Sequence, residues 1–247
     1  MGNKSDPTWY LLDLGLVNYQ RAWDLQLALV NRRHSGELDR DLVLMLEHPA
    51  VFTLGRRGGR EHLLIPEEKL EHAGIAIVQV ERGGKITYHG PGQLVAYPIL
   101  NLARLNIGVA DYVTALEEVM IQACASWGVV VDRNEANRGI WVGRKKIGSI
   151  GIAVRRDICF HGMALNVDPD LDPFCWVEPC GLEGVSMTSM QQELDKPVGV
   201  QNVKNSVAAA FAAVFNVHLQ PCAPADLNIS GVDIDESQTR AIQTPLA

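Results

Sequence analysis

Short apolar runs bounded by glycine, proline and charge outnumber the stretches with helical spacing, and the two kinds do not alternate regularly along the chain. That pattern points to an α+β fold, a mostly mixed or antiparallel sheet flanked by helices. The strand-like runs are 8–14, 41–48, 51–55, 75–81, 93–100, 129–132, 139–143, 146–154 and 163–167. Helical spacing is clearest over 17–36, where Ala22, Leu25, Leu29 and Val30 share a face before Gly36. It recurs over 109–127 with Val113, Leu116, Val119, Met120 and Ala123, and over 201–216; residues 65–74 suggest a shorter helix. Pro98 places the 93–100 strand at an edge or a bulge, because proline cannot donate to a ladder.

With 247 residues and 47% hydrophobic side chains, the chain can bury one full core, and no interior linker divides it. We take 1–221 as one catalytic-sized domain. Residues 222–247, rich in Asp, Ser, Gln, Thr and Pro, are expected to fray. The formal net charge of −7 offers no general field for nucleic acid. No apolar run reaches the ~20 residues of a membrane span. The five cysteines, at 124, 159, 175, 180 and 222, lack CxxC spacing or an accompanying histidine ladder. Reduced thiols in a cytoplasmic protein is the expectation.

Three stretches stand apart chemically. "RGGKITYHGPGQLVAYP" (82–98) carries four glycines, two prolines, Arg82 and His89. Its spacing matches neither a phosphate-binding Walker loop nor GxGxxG. "GRKKIGSIGIAV" (143–154) opens a strand with Lys145 and Lys146, of which only one can face inward, and periodicity does not choose between them. Gly148 and Gly151 inside that strand imply a close neighbour to the backbone. In "FCWVEPCGLEGVSMTSM" (174–190), Cys180 sits on a Pro-Cys-Gly turn rather than in an apolar periodic segment. A thiol there is accessible, and a cation such as Lys146, His89 or His161 would be needed to favour its thiolate.

Together with "LEHPAVFTLGRRG" (46–58) and "FHGMALNV" (160–167), these stretches resemble the octanoyltransferase family that starts lipoate synthesis, over about Trp9 to Phe215. The resemblance implies the α+β fold of biotin- and lipoate-protein ligases. It implies that Cys180 is the acyl-accepting nucleophile and that Lys146, from which "KIGSIG" aligns, is its catalytic partner. It also implies an acyl site lined by Arg82, Gly83, Gly84, Lys85, Ile86, Thr87, Tyr88 and His89. Ser149, Ile150 and Gly151 form a second wall of that site, and Gly162, Met163 and Ala164 a third. His89 and His161 are expected to orient neighbours. The implied donor is octanoyl-acyl carrier protein, and the implied acceptors are lipoyl domains of 2-oxoacid dehydrogenases and the glycine cleavage H protein. No ATP, metal or other cofactor is implied; an ATP-dependent lipoate-protein ligase is the alternative. Arg56, Arg57, Arg60, Arg144, Lys145, Arg155 and Arg156 are candidates for a local basic docking face.

Overall fold

The computed structural model describes residues 7–134, 137–178, 185–227 and 229. The chain begins with β1 (Thr8–Leu16), α1 (Tyr19–Ser35) and β2 (Leu42–Glu47), a unit in which the two strands pair in parallel across the helix. The Asn18 side chain caps α1 by accepting from the Gln20 amide, and Gly36 closes the helix in the left-handed region at φ 80°. Ala22, Leu25, Leu29 and Val30 are all buried on one face of α1, as their spacing requires.

A small sheet follows: β3 (Val51–Leu54), α2 (Glu67–His72), β4 (Ala76–Gln79) and β5 (Ile86–His89), with β3 between β4 and β5. The chain then returns through β6 (Gln93–Asn101), α3 (Leu102–Leu105), α4 (Val109–Ala125), β7 (Asp132–Arg133), β8 (Ile140–Val142), β9 (Lys145–Arg155) and β10 (Ile158–Asn166). Last come β11 (Ser186–Met187), α5 (Met190–Leu194), α6 (Val200–Phe215) and β12 (His218–Pro221). The main sheet runs β12-β1-β2-β6-β10-β9-β8-β7, with β11 added beside β9. Parallel pairs at the β1 end and between β11 and β9, with antiparallel pairs from β2 through β7, make it a mixed sheet.

Each face of this sheet buries its own core. One packs Trp9, Met45, Ala96 and Leu165 against Tyr112, Leu116 and Met120 of α4 and Val203, Val207 and Phe211 of α6. The other packs Leu12, Leu44, Val95 and Phe160 against α1. Coverage on both sides explains why β2, β6 and β10 read as continuous apolar runs rather than alternating ones.

Three expectations are corrected. Pro98 is not at an edge: β6 lies between β2 and β10 in the interior of the sheet. The β6–β10 pairing instead pauses opposite it, between the Met163–Ala96 and Cys159–Leu100 pairs. There His161 takes a positive φ of 55°, and its amide donates to Gln26 Oε1 of α1 at 2.7 Å. The cost of an imino acid in a central strand is thus offset by a side chain from the covering helix. Gly162 is part of the same adjustment, since a Cβ there would lie 2.2 Å from the Ala96 carbonyl oxygen. Of the strand expected at 129–132 only Asp132 is paired, although Val129 and Val131 are buried and Val130 is exposed. Residues 222–227, expected to fray, are held: the Cys222 amide donates to Leu11 O, Leu227 is buried, and Arg32 donates to Leu227 O.

Candidate active site

Where the loop after β4 crosses β9, the two sheets enclose a cavity of about 410 Å³. The loop is held by the Gly83 amide donating to Ile152 O at 2.9 Å. Gly151 makes this crossing possible, because a Cβ there would stand 2.9 Å from Arg82 Cδ and 3.2 Å from Gly83 O. The space that this glycine leaves is therefore taken by the Arg82 side chain and the Gly83 carbonyl. Arg82 itself is buried, with its guanidinium donating to Thr53 O and Oγ1, both at 2.7 Å, and to Gly83 O. It ties the glycine-rich loop to the small sheet.

Every residue assigned to the three walls lines this cavity except Tyr88. Tyr88 is corrected: its ring packs between Phe52 and Phe174, with centroids at 5.3 and 5.4 Å, in the core of the small sheet. Alternation along β5 turns Thr87 and His89 the other way.

The lysine ambiguity resolves by burial. Lys145 is exposed and paired with Glu193, whereas Lys146 is 4% exposed and lines the cavity. Its Nζ donates to Asn137 Oδ1 and, at 2.9 Å, to Arg138 O, and it lies 5.3 Å from the centroid of Trp141. Oxygen dipoles and an aromatic face replace lost hydration, which keeps an ammonium tolerable in a dry wall. β11 pairs with Lys145 and Lys146, and the Thr188 amide donates to Lys146 O at 3.0 Å. Cys180 lies outside the described residues.

Tyr19, His89, Tyr97 and His161 also line the cavity, with His48 packed against the first three. His48 Nδ1 meets Val17 O at 2.7 Å, so that nitrogen carries the proton of a neutral ring, and Nε2 accepts from Tyr97 Oη at 2.8 Å. Tyr19 in turn bonds Tyr97 and stacks on His89. His89 donates through Nδ1 to Gln93 Oε1 at 2.6 Å, and Gln93 Nε2 donates to Asn166 Oδ1. His161 is 1% exposed, and among the described residues neither of its ring nitrogens has a hydrogen-bond partner. Burial, reinforced by neighbouring positive charge, pushes His89 and His161 down to about 3, and burial pushes His48 down to about 4. All three are neutral, weakly basic rings at neutral pH.

Sequence reasoning missed Tyr19, Tyr97, Asn137 and Arg138, all of which line the cavity. Tyr19 and Tyr97 look like ordinary core aromatics in sequence. "NRG" at 137–139 had a readable signal, a polar pair before a glycine at a strand start, but nothing in it names Lys146 as the partner. Among the described residues no helix is long and apolar enough to cross a membrane.

The comparisons agree with this architecture. The lipoyl protein ligase A/B catalytic domain family matches residues 18–212. An octanoyltransferase of Desulfotalea psychrophila is 50% identical over 208 residues, 83% of this chain and 93% of that protein. One from Syntrophobacter fumaroxidans is 48% identical over 206 residues, 83% and 90% of the two chains. Among solved structures, a bipartite lipoate protein ligase from Thermoplasma acidophilum superposes with TM-score 0.70 at 16% identity, covering 98% of this chain and all of that one. Lipoate-protein ligase A bound with ATP superposes with TM-score 0.68 at 15% identity, covering 96% and 93%. At that distance the structures establish the fold, and the octanoyltransferases establish the kind of enzyme. The chain belongs to the octanoyltransferase family, acyltransferases within the lipoyl protein ligase A/B catalytic-domain group.

Proposed function

We propose that the protein moves an octanoyl group from octanoyl-acyl carrier protein to one lysine of a lipoyl domain through a thioester on Cys180. The observation that carries this reading is the buried Lys146 ammonium in the wall of a cavity whose volume falls in the range of small-molecule sites, about 300–1,000 Å³. The Cys180 thiolate attacks the carrier thioester, the new S–acyl bond forms, and the phosphopantetheine thiolate leaves with a proton. The neutral amine of the acceptor lysine then attacks, an amide forms, the Cys180 thiolate departs, and the amine's proton is passed on. Lys146 favours the thiolate as a nearby cation and relays both protons. The acyl group arrives already activated as a thioester, so the reaction draws on no ATP and no metal.

Intact mass after brief incubation with octanoyl-acyl carrier protein and no ATP tests the reading. The wild type is expected to gain one octanoyl group, labile to hydroxylamine, and Cys180→Ala to gain none. No adduct on the wild type, with transfer appearing only when octanoate and ATP are supplied, would establish the ligase alternative.

Within the proposed basic docking face we take the exposed pair Arg56 and Arg57 as the part that meets the carrier. Arg60, Lys145 and Arg155 pair with Glu67, Glu193 and Glu81, whereas Arg57 is exposed and lines the cavity, marking its opening to solvent. An acidic carrier protein delivering its arm through that opening meets Arg56 and Arg57 first. Reversing both charges is expected to raise the KM for octanoyl-acyl carrier protein about tenfold with little change in kcat. Steady-state kinetics at low salt checks it, and an unchanged KM removes this patch from the docking surface.

A further inference from the structure

The oxygens that hold Lys146 belong to a short segment, 137–139, and that segment is itself held by one buried carboxylate. Glu117 of α4 is fully buried. Its Oε1 accepts from the Gly139 amide at 2.9 Å, and its Oε2 accepts from Arg138 Nη1 at 3.0 Å. Arg133 approaches the same Oε2 at 3.5 Å. Arg138 is tied further to α4 through Thr114 Oγ1 and Ala110 O. On the other side of the segment, a Cβ at Gly139 would stand 2.9 Å from Lys146 Cε and 2.3 Å from Gly148 O. The segment is thus pressed onto the stem of the lysine, with Asn137 Oδ1 and Arg138 O turned to its ammonium.

We propose that Glu117 is the positioning residue of this site: its carboxylate fixes the 137–139 segment, and through it the place and orientation of the Lys146 ammonium. Glu117 does not line the cavity, so it acts only through the segment. Buried acidic side chains are expensive unless their acceptors are filled, and here both oxygens are filled by the 137–139 segment that holds Lys146, from Gly139 N and Arg138 Nη1. A helix is a rigid mount, so the lysine is referenced to the core rather than to a loop. The proposal rests on Lys146 acting in the transfer.

The test combines single-turnover octanoyl transfer with the pH dependence of Cys180 alkylation by iodoacetamide, followed on the Cys180 peptide by mass. Wild type, Glu117→Gln, Lys146→Ala and the double variant are compared. Glu117→Gln keeps the shape but removes the charge that holds Arg138. It is expected to slow transfer about tenfold and to move the alkylation midpoint upward by about half a unit or more, at unchanged KM for the carrier. In the Lys146→Ala background it should cause no further change, because two residues acting through one interaction are not additive. A full effect of Glu117→Gln in that background, or none in the wild type while Lys146→Ala is impaired, overturns the clamp alone. Normal transfer and alkylation in Lys146→Ala would overturn the lysine reading and the clamp with it. If Glu117→Gln does not fold, Glu117→Asp serves instead. It retains the charge but withdraws it by one methylene, and a shift in the same direction of about threefold in rate is expected.

Discussion

Lys146→Met is expected to lower octanoyl transfer roughly a thousandfold while the protein remains folded. Methionine retains the apolar stem that packs under Trp141 and Gly139, so the change isolates the ammonium. Losing it leaves Asn137 Oδ1 and Arg138 O without their donor in a buried wall, which costs about 1–3 kcal/mol and lowers Tm by several degrees. That loss is too small to unfold a domain of ordinary stability, so rate and stability separate. The two half-reactions separate as well. In the proposed mechanism, acylation of Cys180 by the carrier thioester needs the thiolate, transfer to the acceptor needs a proton removed from an attacking amine, and Lys146 is the residue we assign to both. A stopped-flow acylation burst and a single-turnover transfer from preformed acyl-enzyme should therefore both slow. Lys146→Arg preserves charge but replaces a compact three-donor head by a planar fork, and a guanidinium does not release a proton at any working pH. It is expected to restore thiolate formation more than proton relay, so its acylation recovers ahead of its transfer. A Lys146→Met enzyme that transfers within tenfold of the wild-type rate would end the proton-relay role.

The secondary structure around this site was legible because it obeys local rules. The faces of α1 and α4 follow directly from 3.6-residue spacing, and Gly36 ends α1 where a left-handed residue is needed. Lys145 against Lys146 was not legible, since alternation says that the two differ but not which one is buried. The answer comes from neighbours distant in sequence: Glu193 draws Lys145 outward, while Trp141 and Asn137 receive Lys146. Pro98 misled for a related reason. A proline in a strand signals a missing ladder bond, but whether an edge or a helix side chain makes good the loss is tertiary information, here carried by Gln26 and the positive φ at His161. Tyr88 was assigned to the cavity by membership in its motif, yet its place in the alternation of β5 puts it in the small core. Glu117 was hidden entirely, because one glutamate on an amphipathic helix reads as solvated until the 137–139 segment is seen covering it.

The histidine cluster makes acid the second large lever. His48, His89 and His161 are all buried, and their rings face Arg82, Arg155, Tyr19 and Tyr97 rather than a carboxylate. Unfolded, each ring binds a proton with a pKa of 6.5. Folded, His48 does so only near pH 4 and the other two near pH 3. The unfolded state therefore holds more protons throughout the interval between those values. Stability from the neutral rings is fully present above pH 6.5 and is lost as pH falls through the window toward 4 for His48 and 3 for His89 and His161. At pH 5 the loss is on the order of 2 kcal/mol for one ring, and because the three rings lie against one another their losses do not add in full. Denaturant midpoints should fall steeply between pH 7 and pH 5, with activity lost over the same range by unfolding rather than by titration of the chemistry. His161→Asn separates this ledger from a general acid effect. Asparagine tolerates the positive φ at that position and carries no proton in the window, so stability against pH should flatten by about one proton's slope, near 1.4 kcal/mol per pH unit. A variant whose pH slope matches the wild type would mean that His161 binds its proton equally tightly folded and unfolded, and that the acid sensitivity lies elsewhere.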